Sequence, residues 1–313
     1  MDSVIPEYYL KYGLEHSSPA QFTKPMDHWI WHYVLNDRKY RNSRPKSPNM
    51  IGGNAVQGDK NRTFIHPTTE EEVTIYAHGL GAYLFENKTI EESILTADEY
   101  LDEKKIMFSG DDLEHYAEVT KRTPIAIRRS IQSLKDFGIE RHKDLTSEDN
   151  VEWQYPGIDI VTVGKTDIQT KTHVIEFKTI WFRRNGKSAK TKQMLFASNS
   201  LPKKPMHDHL LQLSFYWKAT NKEPMIVYVT GNNVKDGPGY VIFTKDNCDE
   251  LRKEYLDALV ETARKTQMVR QNLLQNAKTK KDVTRFVQLD FRNGFYWNSF
   301  TTQEKQEIEN IWI

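Results

Sequence analysis

The amino-acid sequence predicts an α/β protein in which a mixed central β-sheet is flanked by helices. Apolar residues recur at helical spacing through roughly the first 140 residues, strand patterns follow, and residues 249–277 form one long amphipathic pattern. We therefore expect a mainly helical N-terminal region over residues 1–140, a sheet-containing core over 141–247, and a long helix with an aromatic tail over 248–313. A chain of 313 residues can form one elaborated domain, or a core with helical additions.

The N-terminal region should begin with short helices. Ser18 can cap a helix that has Pro19 at its first position, and Pro25 predicts a second helix running through Trp29 and Tyr33. Large aromatic side chains so closely spaced are typical of a core. We expect them to be buried.

Further helices are predicted before residue 140. Apolar residues recur at helical spacing over 70–85 and 90–101, and Thr89 is placed to cap the second helix. Residues 113–137 predict another helix. We expect a break near Pro124, because proline lacks an N–H donor and clashes with the preceding turn.

The core should contain short strands and one helix. The helix is predicted over 207–219, where Gln212 and Tyr216 share a face because they are four residues apart. The predicted strands are residues 151–155, 158–163, a hairpin within 163–179, 225–230 and 239–244.

The C-terminal region predicts a long helix and a tail that folds back. The apolar residues of 249–277 lie roughly on one stripe, and the aromatic residues near the C-terminus should pack on the fold because they would otherwise favour aggregation. The stripe consists of Leu251, Tyr255, Leu259, Ala263 and Val269.

The hairpin carries the strongest functional signal. If the chain reverses around Lys171 and Thr172, Asp167 lies opposite Glu176, with Cβ atoms about 5 Å apart as in any antiparallel pair. Two carboxylates at that distance repel, and a bound cation would offset the repulsion. Mg²⁺ suits such a site best because it prefers carboxylate oxygens and keeps waters that a phosphate can displace.

Lys178 lies two residues after Glu176 and therefore on the same face of the strand. An amine there could orient or deprotonate a water, or stabilise negative charge on a phosphate, as phosphodiester hydrolysis requires. The alternative is an edge hairpin with a solvated face of charged residues, and the pattern alone favours this alternative.

Charge is segregated along a chain whose net charge is only +1. Residues 86–118 hold eleven acids and three basic residues, whereas 183–204 hold seven basic residues and no acid. We expect 183–204 to be a mobile loop beside the catalytic face that contacts a phosphate backbone, although any exposed loop would be polar. The basic residues assigned to this role are Arg183, Arg184, Lys187, Lys190 and Lys192.

The single cysteine, Cys248, excludes an internal disulfide framework, a cysteine-based zinc site and a four-cysteine iron–sulfur cluster within one chain. No apolar run approaches membrane-spanning length, and the N-terminus has no signal-peptide pattern. We expect a soluble intracellular protein with no membrane partner.

Four motifs occur in an order that resembles a known family. They are IGGNAVQ (51–57), GKTD (164–167), EFK (176–178), and Gln212 with Tyr216 as a Q-x3-Y pair. The opening segment 17–34 and the aromatic ending add to the likeness. The chain resembles the RecB-like branch of the PD-(D/E)XK nucleases, especially phage exonucleases and the mitochondrial genome maintenance exonuclease.

The resemblance implies a restriction-endonuclease-like core and a role for each motif residue. Asp167 and Glu176 would hold Mg²⁺ or Mn²⁺ with the carbonyl of Phe177, and Lys178 would be the catalytic lysine. Gln212 and Tyr216 would fasten the site and touch the DNA strand.

The first motif departs from the family, because many relatives have a metal-binding histidine where this chain has Gln57. A glutamine oxygen can still bind a hard cation, with weaker donation, so Gln57 is a doubtful ligand. His78 is a lower-ranked rival for this position, and Asp159 is interpreted as a supporting residue or a loop cap rather than a ligand.

The resulting hypothesis is a divalent-metal-dependent DNA exonuclease that threads a single strand through its cleft. The resemblance places it in phage replication, recombination or genome processing, with proteins of those pathways as partners and the host cytoplasm as its location. The alternatives are a structure-specific endonuclease on the same core and an inactive DNA-binding recombination factor.

Overall fold

The computed structural model describes residues 5–35, 46–58, 60–65, 72–76, 78–139, 141, 145–298 and 300–312, with only the backbone described in 60–65 and 72–76. Its helices and strands are numbered in chain order. None of the described helices is both long enough and apolar enough to cross a membrane.

Helices occur at both ends of the chain and between the strands. The α-helices are α1 Glu7–Leu10, α2 Met26–Trp29, α3 Pro48–Gln57, α4 Gly79–Phe85, α5 Ile90–Lys104, α6 Gly110–Asp136, α7 His207–Thr220, α8 Lys253–Asn276, α9 Lys280–Arg285, α10 Gly294–Trp297 and α11 Thr302–Trp312. Short 3₁₀ helices span Pro19–Gln21, Lys105–Met107 and Asp249–Leu251, and a π-helical segment, Ile30–Leu35, follows α2.

The strands are short. They are β1 Lys60–Ile65, β2 Glu72–Tyr76, β3 Thr146–Ser147, β4 Asn150–Trp153, β5 Thr162–Lys165, β6 Ile168–Gln169, β7 His173–Ile180, β8 Arg183–Lys187, β9 Met194–Ala197, β10 Glu223–Thr230 and β11 Tyr240–Phe243.

Five of these strands form a mixed sheet in the order β11-β10-β7-β6-β3. The central pair, β10 and β7, is parallel, and the other neighbours are antiparallel. A parallel pair needs a crossover, and here α7 belongs to the connection between β7 and β10. The predicted α/β class with a mixed sheet is therefore confirmed.

Helices pack on both faces of this sheet. Alternate side chains of β7 enter different clusters: Val174 packs with α7 and α8, whereas Ile175 and Phe177 pack with α3 to α6. This alternation follows from the two-residue period of a strand. A third, small cluster joins Trp31 to Trp297 and Ile308, so the C-terminal tail packs against the N-terminal segment, while Phe295 of the tail is exposed.

The helical N-terminal region contains an unpredicted hairpin. Residues 70–85 were predicted as one helix, but β2 occupies part of this segment and pairs with β1, and only α4 is helical. The prediction of Thr89 as a cap is confirmed, because its hydroxyl accepts the N–H of Glu92 in a capping box.

Two predictions about helices were wrong in detail. α6 continues through Pro124, because this helix packs against α3, α5 and β10 and those contacts outweigh the roughly 3 kcal/mol that an interior proline costs. In α8, Leu259 and Ala263 are buried as predicted, but Tyr255 and Val269 are exposed. At about 100° per residue, Tyr255 and Val269 lie to one side of the buried face that Leu256 and Val260 share.

The strand prediction also needs two corrections. Residues 158–163 are mostly irregular, and the strand there is β5, which pairs with β4 outside the main sheet. The basic segment is not one loop: β8 and β9 form an antiparallel hairpin that docks on the start of α6, where the Glu114 carboxylate accepts the N–H of Met194.

Candidate active site

The predicted register of the acidic hairpin is confirmed. The chain turns at 170–173, where the N–H of Thr170 donates to the carbonyl of His173 over 2.9 Å. Ile168 then pairs with Ile175 and Gln169 with Val174. Continuing the register by one residue puts Asp167 across from Glu176.

The chain bends at residues 166–167, so β6 pairs with only the first part of β7. Beyond that part, side chains satisfy the free edge of β7. The Asp167 carboxylate accepts the N–H of Phe177 over 2.7 Å, and the Gln57 amide donates to the carbonyl of Phe177 over 2.6 Å. The free edge of β7 thus brings three of the predicted site residues together.

Helix α3 ends where Gln57 reaches this edge. Ser47 caps its start with Pro48 at the first position, and Gly58 stops it with φ of +89°. A side chain at Gly58 would also collide with the backbone of His78, since its Cβ would lie 2.7 Å from that carbonyl oxygen. Gln57 is therefore held as the last residue of the helix.

Glu176 is the buried acid of the pair, with 1% of its surface exposed. One carboxylate oxygen accepts a hydrogen bond from the Lys178 ammonium, and the other, Oε2, has no hydrogen-bond partner among the described residues. A buried carboxylate oxygen without a partner is costly unless a cation or donor reaches it. This oxygen is the observation that fits a metal ion best.

The pKa values of Asp167, Glu176 and Lys178 reflect their burial and their closeness to one another. Burial, followed by repulsion from Glu176, raises the pKa of Asp167 well above its usual value. Burial also raises the pKa of Glu176, although Lys178 acts in the opposite direction. Burial acts to lower the pKa of Lys178, but the two carboxylates outweigh it and the pKa is raised. Lys178 is therefore an ammonium ion at neutral pH.

Helix α7 covers this face of the sheet. The Gln212 amide donates to the Tyr216 hydroxyl over 2.9 Å, and that hydroxyl donates to the carbonyl of Lys165 over 2.6 Å. Gln212 Oε1 also lies 3.5 Å from the Lys178 ammonium. The two residues of the Q-x3-Y pair thus fasten the hairpin and its lysine to one helix.

The tight contact between α7 and β5 depends on Gly164 of the GKTD motif. A Cβ at this position would lie 2.6 Å from the Phe215 ring and 2.7 Å from the Tyr216 ring. Only glycine lets the aromatic face of the helix approach the strand so closely.

The lower-ranked candidates lie elsewhere. The buried ring of His78 stacks on Tyr100, with centroids 4.1 Å apart, in the helical layer. Asp159 accepts the Tyr8 hydroxyl over 2.6 Å, and its N–H donates to Gln271. Asp159 therefore ties the N-terminal segment to α8, and its interpretation as a supporting residue of the site stays a prediction.

Several basic side chains of 183–204 are paired with acids of α6. The Arg184 guanidinium contacts the Asp112 carboxylate, and Lys187 lies 2.6 Å from Asp111. Arg183, Lys190 and Lys192 are exposed on the same hairpin. Their assignment to DNA contact stays a prediction.

Two clefts lie near the candidate site. One, of about 490 Å³, is lined by Asn49, Thr179, Trp181 and Met206, just beyond Lys178 on β7. The other, of about 270 Å³, is lined by residues that include Gln212 and Tyr216. In the part of the chain that the structure describes, no third His, Cys, Asp or Glu joins the acidic pair as a preformed metal cluster.

Two residues of the site were missed by sequence reasoning. Tyr228 is the register partner of Lys178 across the β10–β7 pair, and its hydroxyl lies 2.7 Å from Nδ1 of His209. His209 precedes Gln212 by three residues, so helical spacing could have identified it. No local pattern identifies Tyr228, because parallel pairing is not visible in the sequence.

The chain matches no known protein-family model, and no curated protein matches it. The solved structures that are similar to it include the following two. One is described as "Putative exonuclease" from Eubacterium rectale, with 11% identity, a TM-score of 0.46, and coverage of 89% of this chain and 87% of that chain. The other, described as SSO0001, has 19% identity, a TM-score of 0.24, and coverage of 59% of this chain and 88% of that chain. A functional assignment therefore depends on the chain's own residues.

Proposed function

We propose that this protein is a divalent-metal-dependent DNA exonuclease with a restriction-endonuclease-like core. The supporting observation is the buried Glu176 oxygen without a hydrogen-bond partner, next to Asp167 and within reach of Lys178. The residues present fit Mg²⁺ or Mn²⁺, because the donors are hard oxygens: two carboxylates and the carbonyl of Phe177. Such an ion would activate water and stabilise the leaving oxygen.

Gln57 has a different part in this scheme. Its amide nitrogen donates a hydrogen bond to the carbonyl of Phe177 and so holds that carbonyl in place. In this arrangement the amide nitrogen of Gln57, and not its amide oxygen, faces the carbonyl. A carbonyl oxygen has two lone pairs, so Phe177 can accept this hydrogen bond and still face a cation. Gln57 stays a doubtful ligand, and its positioning of Phe177 is the role that the contacts support.

The charge of Lys178 distinguishes between the two roles considered for this residue. An ammonium whose pKa is raised by two carboxylates is a poor base, but it can donate hydrogen bonds to a phosphate and balance charge that develops there. We assign Lys178 to phosphate stabilisation rather than to removal of a proton from water. Gln212 and Tyr216 hold it in place from α7.

The test is degradation of end-labelled linear single- and double-stranded DNA with Mg²⁺, with Mn²⁺ and with chelator. We expect shortening from the ends, dependent on metal and abolished in Asp167→Asn and Glu176→Gln. Asp257→Asn is the matched control, because Asp257 is a carboxylate on α8 that pairs with Lys218 and Lys253. Intact DNA under all conditions would contradict a nuclease function.

The same assay separates the two alternatives. A structure-specific endonuclease would nick closed circular DNA as readily as it shortens linear DNA. An inactive DNA-binding recombination factor would leave DNA intact, and it would bind Mn²⁺ no more tightly than Asp167→Ala does. The preference for DNA ends comes from the family resemblance.

A further inference from the structure

His209 lies in the site but has no part in the acidic hairpin itself. It belongs to the first turn of α7, on the same face as Gln212. Its ring packs against Tyr228 with centroids 5.6 Å apart, and Tyr228 is the register partner of Lys178. The imidazole therefore stands beside the lysine assigned to phosphate stabilisation.

The hydrogen bonds of Tyr228 determine where His209 carries its proton. The Tyr228 oxygen accepts the N–H of Met206 over 3.0 Å and lies 2.7 Å from His209 Nδ1. Tyr228 is fully buried, so its own proton needs an acceptor, and Nδ1 is placed to be that acceptor. The imidazole proton is then on Nε2, which makes this nitrogen a hydrogen-bond donor.

Nε2 is available for a ligand. No hydrogen bond to Nε2 occurs among the described residues, and the nearest carboxylate oxygen, on Asp208, is 3.9 Å away. The His209 side chain keeps 17% of its surface exposed. Burial and the charge of Lys178 lower the pKa of His209 to about 4, so the ring is neutral at neutral pH and keeps this single donor.

We propose that His209 is a substrate-contacting residue whose Nε2–H donates a hydrogen bond to a non-bridging oxygen of the phosphodiester held beside Lys178. Two donors, one charged and one neutral, then converge on one anionic group. The start of α7 adds favourable helix-dipole potential, and the adverse charge of Asp208 is screened because this side chain is 54% exposed. The inference rests on the proposed nuclease function and adds a residue to the same site.

The test compares two substitutions that differ in reach. His209→Gln can place an amide N–H close to the position of Nε2, whereas His209→Asn is one bond too short. A hydrogen bond to a charged group contributes enough for roughly a 10- to 100-fold effect on kcat/KM. We expect that loss in His209→Asn and a clear recovery in His209→Gln. Mn²⁺ binding without DNA should stay unchanged in both variants. Thermal stability should stay unchanged in His209→Asn, whose side-chain oxygen can replace Nδ1 as the acceptor for Tyr228, and should fall in His209→Gln, whose longer side chain has no acceptor at the position of Nδ1.

The outcomes separate this inference from the proposed function. If the wild type cleaves DNA and both variants cleave equally well, the contact does not exist and the nuclease function stands. Equal losses of activity in both variants, or a lowered melting temperature in His209→Asn, would show a packing role and overturn the inference. If the wild type does not cleave DNA with Mg²⁺ or Mn²⁺, the proposed function fails and the phosphate contact fails with it.

Discussion

Replacing Asp167 by asparagine should stabilise the protein in chelator while it abolishes cleavage. Asparagine keeps an oxygen for the N–H of Phe177, so the backbone contact can survive. What is removed is the cost of burying the Asp167 charge, together with its repulsion from Glu176. Two unit charges about 5 Å apart at an effective dielectric constant of about 20 repel by about 3 kcal/mol, part of which Lys178 already offsets. The free energy of unfolding of Asp167→Asn should therefore exceed that of the wild type by about 1–3 kcal/mol.

The gain should appear as a melting-temperature rise of about 2–6 °C in chelator at neutral pH. It should also depend on pH. Folding raises the pKa of both carboxyl groups, so the folded protein binds protons more readily than the unfolded chain. Wild-type stability therefore falls as the pH rises from the unfolded-state pKa values to the folded-state pKa values. Near pH 4 and below, both carboxyls approach neutrality in either state, and the variant should lose most of its advantage.

Mn²⁺ should offset most of this difference in stability. At 100 times its dissociation constant, a metal ion that binds only the folded wild type adds about 2.7 kcal/mol, and Asp167→Asn should gain little. Asp257→Asn is the control, because lysine contacts lower the pKa of Asp257 and its substitution should bring no increase. The reasoning is refuted if Asp167→Asn melts no higher than the wild type in chelator at neutral pH.

Three further predictions concern the catalytic lysine, the packing of helix α7 on β5, and the basic hairpin. Lys178→Ala should lower the cleavage rate about 100-fold or more while DNA binding in chelator persists, and full activity would refute its assignment. Gly164→Ala should cost about 1–3 kcal/mol, measured by denaturant unfolding, because the new Cβ meets the Tyr216 ring. Lys190→Ala combined with Lys192→Ala should weaken DNA binding and reduce its salt slope by about 2, whereas an unchanged slope would remove this hairpin from the interface.

Local patterns predicted the parts of the site that depend on local geometry. A tight turn and the two-residue strand period were enough to place Asp167 across from Glu176, and the spacing of Gln212 and Tyr216 was enough to place them on one helix face. These features require only a few consecutive residues. Tertiary contacts support them but do not create them.

Predictions failed where distant parts of the chain decide the local structure. α6 continues through Pro124 because other elements hold it on both sides of the proline. The basic segment became a hairpin because acids of α6, among them Asp111 and Asp112, lie opposite Lys187 and Arg184. The contact between Tyr228 and His209 depends on the parallel pairing of β10 and β7, which no local pattern encodes.

The bend at residues 166–167 explains how an acidic hairpin can become a candidate metal site. Had β6 continued along β7, ladder hydrogen bonds would occupy the N–H and carbonyl of Phe177, and Asp167 would be an ordinary strand residue. Because the chain leaves the ladder there, the Asp167 side chain takes the N–H, and Gln57 takes one lone pair of the carbonyl. The second lone pair and the Glu176 oxygen without a hydrogen-bond partner can then face the same cation. The interruption that the strand pattern did not predict is therefore the feature on which the proposed chemistry depends.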